Sequence, residues 1–387
     1  MRKVLLTGVL AVLTVFLFFC GREQKAAEEI PAYTINAVHP DADGTTRILL
    51  YYDMEGISGV NRMEQTGFGN PEYQTGRDNL TQDVNAVIAG LFAGGADVVD
   101  VTDAHGSGNP EPDVDLGKLD QRAQMIYKDT PFDPYSDLPE TEKYDAAAVV
   151  CMHAKTGSSG FIAHTYNGGC DWIINGKSIN ETEIIAYSWG RFGVPVIFAS
   201  GDDVLKGQLE YMDWLEYVTV KKAINWFDAE LYPLDVVHAE MQEKAKKAVE
   251  NLSREKYVAF TEPLTAALRT QFPADHSILE GVPGIDYKDR TVTFPAKTYR
   301  EAYDGIVKLI QVAGLGRLKL MQEYLAQSEQ GPQLRKEFRS YLFKKYEDWM
   351  AGKWDPDAEP KKEEKRTSST SARDRAGSFF RGIAVRA

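Results

Sequence analysis

The run Ile48-Leu49-Leu50-Tyr51-Tyr52-Asp53-Met54-Glu55 decides how this chain is read. Five apolar residues in a row, flanked by polar sequence, predict a strand buried on both faces. Such strands belong to parallel α/β sheets, and ligands there bind outside the carboxyl ends of the strands. At this carboxyl end stand two carboxylates, Asp53 and Glu55. In an extended chain their spacing puts both on one side, where repulsion is costly unless a cation lies between them.

Two more runs repeat the pattern. Val98-Val99-Asp100-Val101-Thr102-Asp103-Ala104 leads to His105, and Ala146-Ala147-Ala148-Val149-Val150-Cys151-Met152 leads to His153, with His164 and Glu181 farther on. Three strands would deliver these groups to one rim, and three histidines with three carboxylates suit two divalent metals. Taken singly, each residue has an ordinary alternative. Asp53 and Glu55 also fit a polar strand end, His105 a loop histidine bonded to Asp103, His153 a structural histidine and His164 a surface loop. Asp103, facing away from Ala104 along the strand, suits orienting a metal ligand. Glu183 competes with Glu181, and Asp202 or Asp203 suits a helix cap. His39, His238 and His276 fall outside the pattern.

The surrounding sequence alternates strands and helices. Strands are predicted over 47–53, 97–103, 146–152 and 194–199. A helix is predicted over 79–92, where Val84, Val87, Ile88, Leu91 and Phe92 share one face and Gly94-Gly95 ends it, and another over 181–192. This order predicts a layered α/β/α sheet. Beyond Gly201-Asp202-Asp203 the chain reads as mostly helical, over 235–252 and 299–313, with one strand-like segment from Asp289 to Phe294.

The chain of 387 residues, 43% hydrophobic and 26% charged, is long enough for a full core, and its net charge of −13 argues against a nucleic-acid partner. Three cysteines build no disulfide framework. Arg2 and Lys3 precede the uncharged run Val4 to Phe19 and then Cys20, the pattern of a bacterial lipoprotein signal, although Phe19 stands where a small residue is usual. Lipidation at Cys20 or an uncleaved N-terminal anchor would each attach an exported protein to a membrane. The expected organisation is an export signal at 1–20, a tether at 21–46, a metallohydrolase domain at 47–315, a helical extension at 316–358 and a disordered tail at 359–387.

Asp53-Met54-Glu55-Gly56-Ile57-Ser58-Gly59, Asp103-Ala104-His105, His153-Ala154-Lys155, His164, Asn175-Gly176 leading to Asn180-Glu181, and Val194-Pro195-Val196 leading to Gly201-Asp202-Asp203 resemble, in order and spacing, the zinc-dependent D-aminopeptidase family. The resemblance covers about residues 47 to 313. It implies two zinc ions per subunit, with Asp53 bridging both, Glu55 and His153 completing one, His105 and Glu181 the other, and His164 catalytic. It further implies short peptides with an N-terminal D-residue of the D-alanine type as substrates, and a ring-shaped homo-oligomer. Two rival readings are another metal-dependent amidase or phosphoesterase on the same site, and a peptide-binding lipoprotein without catalysis.

Overall fold

In the computed structural model the described residues are 31–38, 44–126 and 133–354. The export signal with Cys20, His39 and the tail at 359–387 lie outside the described residues. In chain order the strands are β1 (Tyr33–Ala37), β2 (Arg47–Tyr52), β3 (Val98–Asp103), β4 (Gln124–Ile126), β5 (Ala146–Val150), β6 (Cys170–Ile174) and β7 (Lys177–Ile179), then β8 (Val196–Asp202), β9 (Glu216–Asn225), β10 (Asp228–Leu231), β11 (Lys256–Phe260), β12 (Leu264–Thr270), β13 (Asp286–Lys288) and β14 (Thr291–Ala296). The helices are α1 (Tyr73–Ala93), α2 (Leu138–Thr141), α3 (Glu181–Gly190), α4 (Asp203–Leu209), α5 (Leu234–Glu250), α6 (Tyr299–Ala313), α7 (Leu315–Gln327) and α8 (Gly331–Met350).

A seven-stranded sheet in the order β10-β9-β8-β5-β2-β3-β4 carries the molecule. All neighbours in it are parallel except β9 and β10, which form a hairpin. Residues 48–52 of β2 are fully buried, and their side chains alternate between two cores as the pleat requires. Ile48, Leu50 and Tyr52 join Val84, Val87, Ile88 and Leu91 of α1 and Met241 and Ala245 of α5. Leu49 and Tyr51 join Ile184, Ile185 and Trp189 of α3 and Trp172 of β6. The second core is closed by an antiparallel sheet in the order β13-β14-β12-β6-β7, with α6 packed on it. The layered α/β class expected from the alternation is what forms.

Several expectations need correction. The segment after Gly201-Asp202-Asp203, expected to be mostly helical with one strand, supplies β9 to β13 besides the expected strand, β14. All but β9 have seven residues or fewer, and β11 and β12 pair with β1 and β6, far away in sequence, so periodicity alone gave them little weight. The tether at 21–46 contains β1, which pairs antiparallel with β11, Tyr33 facing Phe260. The helix after the first loop begins at Tyr73, six residues earlier than its apolar stripe suggested. The expected helical extension is two helices, α7 and α8, parted near Ser328.

The α1 and α5 pair packs closely because Gly90 leaves room. A Cβ there would lie 2.3 Å from Gln242 O and 2.7 Å from Ala245 Cβ. Gly90→Ala should therefore destabilise the protein by about 1–3 kcal/mol through overpacking, outweighing the roughly 1 kcal/mol of helix propensity that alanine adds. Gly207→Ala on α4, where a Cβ meets nothing within 4 Å, should be neutral or stabilising. Denaturant midpoints of the two variants measure the contrast; equal midpoints would mean the helix contact yields freely.

Candidate metal centre

The centre of the sheet sets the site. Strands β3, β2 and β5 are adjacent and parallel, so their carboxyl ends present His105, Asp53 with Glu55, and His153 to one rim. The loop after β2 crosses directly over the end of β5. Asp53 N donates to Val150 O at 3.0 Å and Gly56 N to Cys151 O at 2.7 Å. Only glycine fits at 56, because a Cβ would lie 2.1 Å from Met152 O. This close approach brings Glu55 over the strand that supplies His153.

Glu181 arrives from the opposite core, at the first turn of α3. Asn180 caps that helix by accepting from Glu183 N at 2.9 Å, and Glu183 accepts from Asn180 N at 2.9 Å, a capping box. Glu183 also pairs with Lys177, so it is buried and committed elsewhere and does not compete with Glu181. Glu181 alone turns inward, where Tyr166 N donates to its Oε1 at 2.7 Å and the Tyr135 hydroxyl to its Oε2. Asp202 accepts from Leu205 N at 2.7 Å as the cap of α4, as expected, and also from Phe161 N at 2.8 Å.

All six expected site residues come together. His105 Nδ1 lies 2.7 Å from Asp53 Oδ1 and 3.3 Å from Glu55 Oε2. His153 Nε2 lies 3.2 Å from Asp53 Oδ2 and 3.2 Å from Glu181 Oε1. His164 stacks on His153 with ring centroids 3.9 Å apart, and its Nε2 is 3.8 Å from Glu181 Oε1. The two oxygens of Asp53 thus face different imidazoles. The nearest contacts associate His105 with Glu55 and His153 with Glu181, the reverse of the pairing implied by the resemblance, although donor atoms of Asp53, Glu55 and His153 also lie within 4.8 Å of one another.

Backbone carbonyls fix the three imidazoles. His153 Nδ1 faces Ala154 O at 3.0 Å, His164 Nδ1 faces Ile162 O at 2.8 Å, and His105 Nε2 faces Thr66 O at 3.1 Å. A carbonyl only accepts, so each of these nitrogens carries the hydrogen and the other nitrogen of each neutral ring turns a lone pair toward the carboxylates. His153 Nε2 and Glu55 Oε2 are buried without any hydrogen-bond partner. Lone pairs facing carboxylates repel unless positive charge lies between them. Burial disfavours the charged form of His105 and His153, yet the charges of Glu55 and Glu181 overcome it and hold both well above the usual imidazole range. Burial would raise Asp53, but the two histidines beside it, charged in the absence of a cation, hold it well below the carboxylate range. Nitrogen and oxygen donors with orphaned, converging lone pairs fit metal cations.

Residues that sequence reading missed support this arrangement. Lys221 of β9 is fully buried, and its ammonium donates to Glu55 O at 2.8 Å and Val60 O at 2.5 Å while lying 4.7 Å from the Phe161 ring centroid. Burial pushes that ammonium down to about 8. Asp83 of α1 accepts from Ser58 N at 2.7 Å and from His238 at 2.8 Å, so His238, outside the expected pattern, braces the same loop. Trp226, at the tip of the β9–β10 hairpin, donates to Ala163 O at 3.0 Å and accepts from Ile162 N at 2.9 Å, holding the loop of His164. Asp103 accepts from the backbone amide of His105 at 2.8 Å, which fixes the strand end and not the imidazole. A buried lysine inside an apolar strand is the one sequence signal that pointed to Lys221; Tyr135 and Trp226 carried none.

Tyr135→Phe removes the hydroxyl that holds Glu181 and leaves the ring stacked on Tyr51. It should weaken metal binding by about 10–100-fold with little loss of fold, the usual worth of a hydrogen bond that orients a ligand. Competition with a chromogenic chelator measures this; unchanged affinity would remove Tyr135 from the site.

The profile of the D-aminopeptidase family, peptidase family M55, matches residues 46–307. A D-aminopeptidase of Bacillus subtilis (strain 168) is 28% identical over 275 residues, which are 69% of this chain and 97% of that protein. A zinc-dependent D-aminopeptidase from Bacillus subtilis, described as a self-compartmentalizing protease, has a similar solved structure, with a TM-score of 0.63 at 25% identity over 69% of this chain and 98% of its own. The matched stretch runs from β2 through β14 and contains all six converging side chains: the chain belongs to the D-aminopeptidase family of peptidases.

Proposed function

We propose that this chain is a binuclear zinc aminopeptidase that removes N-terminal D-residues, of the D-alanine type, from short peptides. The observation that carries the reading is Asp53, a buried carboxylate whose two oxygens face His105 and His153 separately, as a bridge between two cations does. His105 and Glu55 would complete the site on one side of Asp53, and His153 and Glu181 on the other. The similar solved protein is zinc-dependent, and this donor set suits zinc. Bound zinc would supply a water ionised near neutral pH and a Lewis acid for the scissile carbonyl.

His164 has a different part. Its Nδ1 is committed to Ile162 O, and its side chain is 21% exposed, whereas His153 is 1% exposed. With Nδ1 committed, Nε2, which lies 3.8 Å from Glu181 Oε1, is the nitrogen that takes up a proton and passes it to the leaving amine. A second reading makes it a further metal ligand, because its donor atom groups with those of His153 and Glu181 within 4.8 Å.

Metal content and hydrolysis of D-Ala-D-Ala beside L-Ala-L-Ala test the proposal together. Wild type should bind two zinc ions and cleave the D-peptide preferentially, and Asp53→Ala should lose both ions. His164→Ala should keep its metal and lose about 10²–10⁴-fold in turnover. Loss of zinc from His164→Ala would make it a ligand, and full occupancy in Asp53→Ala would end the bridging assignment.

The proposal places the enzyme at the bacterial envelope, exported and held through a lipid on Cys20 or through an uncleaved anchor, where D-alanine peptides from the cell wall are at hand. It assembles as a ring-shaped homo-oligomer, as the self-compartmentalizing relative suggests. Wild type should incorporate labelled fatty acid and Cys20→Ser should not. Absence of label in both, with residues 1–19 retained, would make the segment an anchor.

A further inference from the structure

Helices α7 and α8 lie beyond the family match, which ends at residue 307, so nothing in the shared fold accounts for them. They pack against each other as a hairpin directly after α6. Helix α8 leaves an apolar face open: Leu342, Phe343, Tyr346, Trp349 and Met350 are between 50% and 66% exposed. A groove of about 310 Å³ runs along this face and is lined chiefly by aromatic rings and by Trp354 just past the helix.

The composition of this face argues against a coiled-coil partner and fits a lipid boundary. Within α8 there is no Ile or Val, and the aliphatic residues Leu334 and Leu342 are outnumbered by Phe, Tyr and Trp. A helix seam between protein chains wants aliphatic residues at coiled-coil spacing. Aromatic rings with polar tips, interleaved with Lys and Arg, suit the boundary between water and lipid, where rings sit at headgroup depth and cationic side chains reach past them. Lys345 joins the two kinds of group on one face, its ammonium lying over the ring of Trp354 at 4.6 Å and over that of Tyr341 at 5.7 Å.

Charge points the same way. Residues 315–354 hold eight Lys and Arg against five Asp and Glu, in a chain whose net charge is −13. An anionic surface therefore attracts this hairpin and repels the acidic remainder. No helix among the described residues is long and apolar enough to cross a membrane, so α8 would lie along the surface and not span it. We propose that α8 is an interfacial helix that lays its aromatic face on an anionic phospholipid surface. The inference does not depend on the peptidase reading.

The test uses residues 31–387, which keep every described element from β1 onward and omit the apolar N-terminal run. Sedimentation is measured with phosphatidylglycerol–phosphatidylcholine vesicles and with phosphatidylcholine vesicles. Binding to the anionic vesicles should be at least tenfold stronger and should weaken as salt is added. The combined variant Leu342→Asp, Tyr346→Asp, Trp349→Asp changes exposed side chains only. It should lose at least tenfold in vesicle binding and keep the wild-type denaturation midpoint. Equal sedimentation of the two proteins overturns the proposal. So does a wild type that ignores vesicles but forms larger assemblies, seen by light scattering, that the variant does not form, since the face would then be a contact between copies of this chain.

Discussion

Negative charge held away from water is the constraint on which this structure depends. Asp53, Glu55 and Glu181 are at most 4% exposed, and one ring nitrogen of each of three imidazoles is turned toward them. Burying one carboxylate without compensation is costly, and three in contact are more so. Protonated histidines provide part of the missing charge, which is why His105 and His153 are pushed far toward their cationic forms. Bound cations would release those protons and use the same lone pairs. Lys221 adds a positive group beneath the loop, with its ammonium fixed on two backbone carbonyls.

Rigidity around the charge comes from the backbone more than from side chains. Neighbouring strands lie about 4.8 Å apart, so three adjacent parallel strands place their end residues within reach of one another before any loop is considered. The crossing at Gly56 then lowers the Asp53–Glu55 segment onto the end of β5. Carbonyls of Thr66, Ala154 and Ile162 set which nitrogen of each histidine faces inward. Each of these constraints belongs to a different loop, and Asp83, Lys221 and Trp226 tie those loops to α1, β9 and the β9–β10 hairpin. The helices and the second sheet act on chemistry by holding these loops still.

How much was legible follows from the range of each interaction. The runs before Asp53, His105 and His153 are local signals, and strands buried on both faces end where their apolar composition ends. The stripe on α1, the amphipathic faces of α5 and α6 and the capping role of Asp202 were readable for the same reason. By contrast β1 gains its place from β11, more than 200 residues away, and β6 pairs with β12 across about 100 residues. Short strands of that kind carry little periodicity of their own. Tyr135 and Trp226 look like any buried aromatic until the fold sets them beside Glu181 and Ala163.

The amino-acid sequence alone determined the central parallel strands, the strand-end groups Asp53, Glu55, His105 and His153 and the acidic character of the chain, because apolar runs and residue types are local properties; His164 and Glu181 were singled out by the family resemblance. Only the tertiary structure decided that His105 stands nearest Glu55 and His153 nearest Glu181, that Glu183 caps a helix while its neighbour Glu181 turns inward, and that a buried lysine underlies the site. Those outcomes depend on distances between segments remote along the chain, which strand order and loop crossings set and which no single stretch of residues contains.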